Sequence, residues 1–144
     1  MVRALPADGN RYEVVAGELF VTPAPHFRHQ GAVLEWLLRL APYVKAHGLG
    51  YAVASPADIE FDEEDLVQPD AFVAPRIEGH QPTRWSEITT LVLAIEVLSP
   101  STARADRTVK RRLFQRVGVP EYWIVDVEAR LVERWRPATS GSRS

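Results

Sequence analysis

The stretch LVLAIEVLS, residues 91–99, carries one charged side chain, Glu96, inside the most apolar segment of the chain. A run of this kind reads as a buried strand. An ionised carboxylate is costly to bury without a partner, so Glu96 constrains whatever is built around it. Close to the strand's end, beside the turn residues Ser99-Pro100, it can point into a cleft.

The segments on either side supply the remaining elements. RYEVVAGELFVT, residues 11–22, predicts a hairpin that turns at Ala16-Gly17, where glycine takes the positive φ of a tight turn. TPAPHFRHQ is a loop punctuated by Pro23 and Pro25. From about Arg28 the period becomes helical, with Val33, Trp36, Leu37, Leu40 and Val44 on one stripe and Gly48 as a stop. Pro42 is expected to kink or split this helix. GYAVASPADIEFD predicts two short strands broken at Ser55-Pro56, and the acidic run from Asp62 to Asp65 a solvated turn. LVQPDAFVAP, from Leu66, reads as one strand, irregular or at an edge at Pro69. Residues 75–90 are polar loop. SPSTARADRTVKRRLFQRVG predicts a helix with Ser101 or Thr102 as N-cap and Gly118 at its end. EYWIVDV and ARLVERWRP form a closing strand pair. This order describes an α+β domain with a mixed β-sheet flanked by helices. Residues 1–137 are expected to make one domain, and residues 138–144 a disordered tail.

Composition excludes several chemistries. The absence of cysteine removes disulfide scaffolds, thiolate zinc sites and thiol catalysis, and it suits a cytoplasmic location. No apolar run is long enough to span a bilayer, and the N-terminus lacks the apolar core of a signal peptide, so no membrane association is expected. There is neither a nucleophile-elbow serine nor a glycine-rich phosphate cradle, and no organic cofactor is expected. A formal net charge of −2 means that any nucleic-acid contact must come from a local basic patch. The most basic segment is the predicted helix after Glu96, with Arg104, Arg107, Lys110, Arg111, Arg112 and Arg116. His26 and His29 have no zinc spacing and suit loop or helix-cap roles. The four tryptophans suit core or interface positions.

A second acid, Asp70 in QPDAFV, also interrupts an apolar strand. If its strand neighbours that of Glu96, the two carboxylates converge, and their repulsion favours a proton or a divalent cation between them. All-oxygen ligands suit Mg²⁺, which keeps several waters. Asp106 and Lys110, four residues apart, share a helix face. They serve either the acids or a plain ion pair on a solvated surface.

Pro69-Asp70, then Glu96 with Val97 and Leu98, then a helix bearing Lys110, together resemble the PD-(D/E)XK nuclease superfamily. The chain is most similar to its Uma-type branch of restriction endonucleases, through RYEVVAGEL, PAPHFRHQ, QPD, EVLSPST, the Asp106-to-Lys110 segment and GVPEYWIVD in order. The resemblance implies a restriction-endonuclease-like core in which Asp70 and Glu96 hold Mg²⁺, with Mn²⁺ able to substitute and the Val97 carbonyl as a further ligand. It also implies that Lys110 replaces the superfamily's strand lysine, whose place is taken by Leu98, and that Glu18 is a third candidate acid. Arg107, Arg111 and His29 are then expected to position a DNA backbone. The implied activity is hydrolysis of DNA phosphodiester bonds. Leu98 leaves open a catalytically weak or inactive nucleic-acid-binding domain on the same fold. Nucleases that cut both strands commonly pair, so a homodimer is expected.

Overall fold

A computed structural model describes residues 8–23, 27–98 and 106–137. Among the described residues, two sheets and two principal helices make up the α+β fold. Strands β1 (Arg11–Val15) and β2 (Glu18–Thr22) form the expected hairpin, with Ala16 and Gly17 both at positive φ. They join β4 (Ile59–Asp62) and β5 (Asp65–Val67) in an antiparallel sheet of order β2-β1-β5-β4. The second sheet has the order β3-β6-β7-β8-β9. It contains β3 (Tyr51–Ala54), β6 (Ala71–Ala74), β7 (Leu93–Val97), β8 (Glu121–Asp126) and β9 (Leu131–Trp135). Its β7–β8 pair is parallel and the others antiparallel, which makes it mixed.

The sequence from Leu66 is not one strand. β5 ends at Val67, β6 begins at Ala71, and the two belong to different sheets. Gln68-Pro69-Asp70 is the crossing point. Proline has no N–H to give to a ladder, so pairing stops there and the chain is free to change partners.

Side-chain alternation sorts the second sheet into two faces. Ala71, Val73, Leu93, Ile95, Val97 and Val125 pack with Val33 and Val44 of helix α1 (Phe27–Ala46). Trp36 and Trp123 meet edge-on across this layer, with centroids 5.7 Å apart. The opposite face presents Phe72, Ala74, Ala94, Tyr122 and Ile124 to Val15, Ile59 and Val67 of the first sheet. Pro42 does not split α1, which continues from Phe27 to Ala46. Both Pro42 and Leu38 are exposed, so water can satisfy the carbonyl whose partner the proline removes.

After β7, the described chain resumes with a single π-helical turn (Asp106–Lys110) that runs into α2 (Arg111–Arg116). Leu113 and Phe114 of α2 are buried in the inter-sheet core, where Phe114 stacks on Tyr122 with centroids 4.5 Å apart. Gly118, at positive φ, ends this segment as expected. The expected N-caps Ser101 and Thr102, residue Arg104, and the 138–144 tail lie outside the described residues.

One acid of the 62–65 run is not solvated. Asp65 is 1% exposed, accepts the Ala16 N–H at 2.8 Å, and is gripped by both terminal nitrogens of Arg116 at 2.8 and 3.1 Å. The Arg116 hydrogen bonds, against a smaller opposing effect of burial, hold its pKa below the ordinary carboxylate value. This pair ties α2 to the β1–β2 turn.

Candidate active site

The β6–β7 register brings the two acids together. Ala71 pairs with Ile95 in an antiparallel ladder, so Asp70, one residue before, lies across from Glu96, one residue after. Alternation puts both on the face that looks toward the first sheet, since Asp70 shares it with Phe72 and Glu96 with Ala94. Asp70 is 2% exposed and Glu96 fully buried.

β1 crosses this face from the other sheet. Its inward residues are Arg11, Glu13 and Val15, and Glu13 is 2% exposed. Lys110, at the last position of the π-helical turn, is also buried. Its Nζ lies 2.6 Å from Glu13 Oε1 and 2.9 Å from Glu96 Oε1. The other Glu13 oxygen accepts the Gln68 N–H at 2.7 Å. Lys110 therefore serves the acids rather than a solvated ion pair. The Asp106 and Arg107 side chains lie outside the described set.

Asp70 is held from three sides. Its Oδ2 accepts the Val97 N–H at 2.7 Å and meets Nε2 of His29, in the first turn of α1, at 3.1 Å. Its Oδ1 takes a short hydrogen bond from Arg11 Nη2, while Arg11 Nη1 lies 3.7 Å from Glu96 Oε2. One guanidinium thus spans both acids. Burial alone would raise the Asp70 pKa, but His29 and Arg11 outweigh it and hold the carboxyl below its usual value. Burial likewise would lower His29, and the Asp70 hydrogen bond and charge reverse it, so the His29 pKa is raised.

Not every sequence candidate reaches this cluster. Glu18 sits at the start of β2, exposed, opposite Val15 across the hairpin. The acid that the hairpin contributes is Glu13. Arg111 lays its guanidinium 4.3 Å over the Trp135 ring, away from the acids. His26 lies outside the described residues. Arg11 and Glu13 were missed because RYEVV alternates ambiguously: Tyr12 and Val14 make as good an inward face as Arg11, Glu13 and Val15. The one available signal was Val15 beside the turn, whose burial fixes Glu13 and Arg11 on its own side.

Among the described residues, no group of three or more His, Asp or Glu side chains is arranged as a metal cage. What exists is a two-carboxylate set, with Asp70 Oδ1 and Glu96 Oε2 facing the same cationic group. Two carboxylate oxygens brought side by side are the donor type that Mg²⁺ takes, since it is commonly bound through one or two carboxylates. The Val97 carbonyl follows Glu96 directly.

Sequence comparison decides the family. A family model described as "Uma2: Putative restriction endonuclease" matches residues 2–143. The chain belongs to this Uma2 family. Among solved structures, it is similar to the crystal structure of a "putative nuclease belonging to DUF820" from Anabaena variabilis, with a TM-score of 0.74 and 21% identity. The match covers 94% of this chain and 76% of that one. At that identity the likeness establishes the shared fold. No curated protein matches the sequence. Among the described residues of this Uma2 chain, no helix is long and apolar enough to cross a membrane.

Proposed function

We propose that this Uma2 protein is a metal-dependent endonuclease that hydrolyses phosphodiester bonds of DNA, using Mg²⁺ with Mn²⁺ as a substitute. The observation that carries the reading is the pairing of Asp70 and Glu96 across β6 and β7. Each acid turns one oxygen toward a shared cationic position, and the Lys110 ammonium lies against Glu96. Membership of a family described as "Putative restriction endonuclease" supports it.

In this mechanism Asp70 and Glu96 would hold the cation, with the Val97 carbonyl as a further oxygen donor. When bound, a divalent ion would supply Lewis-acid stabilisation of phosphate charge and activation of water. The chain's own groups do the rest. Lys110, kept in place by Glu13, offers its ammonium to the charge that accumulates on phosphorus-bound oxygens. His29 and the Val97 N–H fix the Asp70 carboxylate through Oδ2, so that Oδ1 would be the oxygen offered to the cation. Arg107 and Arg111 provide charge for the DNA backbone, and a homodimer would present one site to each strand.

A second reading is favoured by Arg11, which already neutralises both acids: a DNA-binding domain without hydrolysis. Nicking of supercoiled plasmid separates the two. The nuclease reading expects nicking that requires Mn²⁺ or Mg²⁺ and disappears in Glu96→Gln. Retained DNA binding with no nicking under any divalent ion contradicts it and favours the second reading. Sedimentation at micromolar concentration tests the dimer, and a monomer counts against it.

A further inference from the structure

The two oxygens that a metal would take are the two that Arg11 faces. Asp70 Oδ2 is committed to the Val97 N–H and His29, which leaves Oδ1, and Arg11 Nη2 is on it. Glu96 Oε1 is committed to Lys110, and Arg11 Nη1 stands 3.7 Å from Oε2. A guanidinium in that position leaves no room for a hydrated divalent ion, and like charges at such a separation repel.

We propose that Arg11 is the resident counter-cation of the site and competes with the divalent ion for Asp70 and Glu96, so that metal entry requires the Arg11 side chain to withdraw. The inference rests on the metal-site reading above and goes beyond it, because it assigns to this arginine the setting of metal affinity.

Withdrawal is physically accessible. Arg11 opens β1, at the end of the strand away from the hairpin turn, and its side chain keeps 13% exposure beside the acids. The arginine stem is long and flexible, so the head can move into solvent while the backbone pairing with Thr22 stays intact. Lys110 has no such freedom, being clasped between Glu13 and Glu96. Between Arg11 and Lys110, Arg11 is the one that can yield. In the absence of metal it also prevents two buried carboxylates from facing each other without compensation. The site is thereby kept intact until the ion arrives.

The test is isothermal calorimetry of MnCl₂ into the wild-type chain, Arg11→Gln, Arg11→Lys and Asp70→Asn, with thermal unfolding of each followed with and without Mn²⁺. Competition predicts that Arg11→Gln binds Mn²⁺ more tightly, by on the order of tenfold. Arg11→Lys, which keeps a charge but loses the fork, should fall between it and wild type. The metal-free Arg11→Gln protein should melt lower than wild type, and Mn²⁺ should raise its melting temperature by more than it raises the wild type's. Should Arg11→Gln fail to fold, the Arg11→Lys comparison alone decides the point. Equal or weaker Mn²⁺ binding in the folded Arg11 variants, with binding lost in Asp70→Asn, overturns the competition and leaves the metal site standing. Absence of Mn²⁺ binding in every variant at millimolar concentration overturns both.

Discussion

The ammonium of Lys110 lies 2.6 Å from a carboxylate oxygen of Glu13, and both side chains are almost wholly buried. β1 and the π-helical turn are brought together by this contact, and the same ammonium reaches Glu96 at 2.9 Å. A lysine in such a place is a structural element whatever its chemistry. Lys110→Met leaves Glu13 and Glu96 buried without their shared cation, a change of the kind that costs about 3–5 kcal/mol. Urea denaturation at neutral pH is expected to show a loss of that size. A loss below about 1 kcal/mol, within the range of an exposed pair, would mean that the ammonium is not buried between the acids.

On β8, next to the edge strand β9, Glu121 receives Arg134 at 2.6 Å and Arg136 at 2.8 Å. Burial alone would raise its pKa, but Arg134, the Trp123 indole and Arg136 together lower it to about 2. A carboxyl whose folded pKa is depressed adds stability above its ordinary value near 4.5, and that stability fades as pH falls toward about 2. Both arginines are about half exposed, so screening reduces the gain to about 1 kcal/mol or less. Glu121→Gln is therefore expected to be less stable than wild type at pH 7 by about that amount. The gap should narrow through the acid range. A gap that stays constant down to the acid limit contradicts the assignment.

Gly50 precedes β3 at φ +140°, and a Cβ there would fall on the carbonyl oxygen of Ala74 in β6. That oxygen is backbone in the central sheet and cannot step aside. Gly50→Ala is expected to destabilise the chain by roughly 2–3 kcal/mol through overpacking and strain. Gly48→Ala, with open space around the Cβ, meets no clash and carries only the strain of its positive φ. A thermal melt of the two variants should rank Gly50→Ala well below Gly48→Ala, and the reverse order would refute the close approach.

Much of the fold was legible because local chemistry and tertiary packing agree. The Ala16-Gly17 turn, the α1 stripe and the closing β8–β9 pair each follow from residues whose pattern has one reading. The failures occur where the deciding force lies elsewhere in the chain. Pro69 looks like an irregularity within one strand, yet it marks the passage from one sheet to another, which only the partners of β5 and β6 reveal. Asp65 looks like part of a solvated acidic turn, but Arg116 on α2 makes its burial tolerable. Asp70, Glu96, Lys110 and His29 were readable as candidates, and they converge. Arg11 and Glu13 were not, because a five-residue strand with Tyr12 and Val14 on one side and Val15 on the other does not declare its inner face. Glu18, chosen from the same hairpin, lies on the exposed arm.

The account centres on a divalent ion held jointly by Asp70 and Glu96. Diffraction from crystals grown with Mn²⁺, with data collected for its anomalous signal, tests this most directly. The expected result is one peak coordinated by Asp70 Oδ1 and Glu96 Oε2 at about 2.1 Å, with the Arg11 guanidinium withdrawn from both. A crystal whose plasmid-nicking protein shows no peak there, or shows Arg11 still spanning the two acids with the ion bound at other residues, would contradict it.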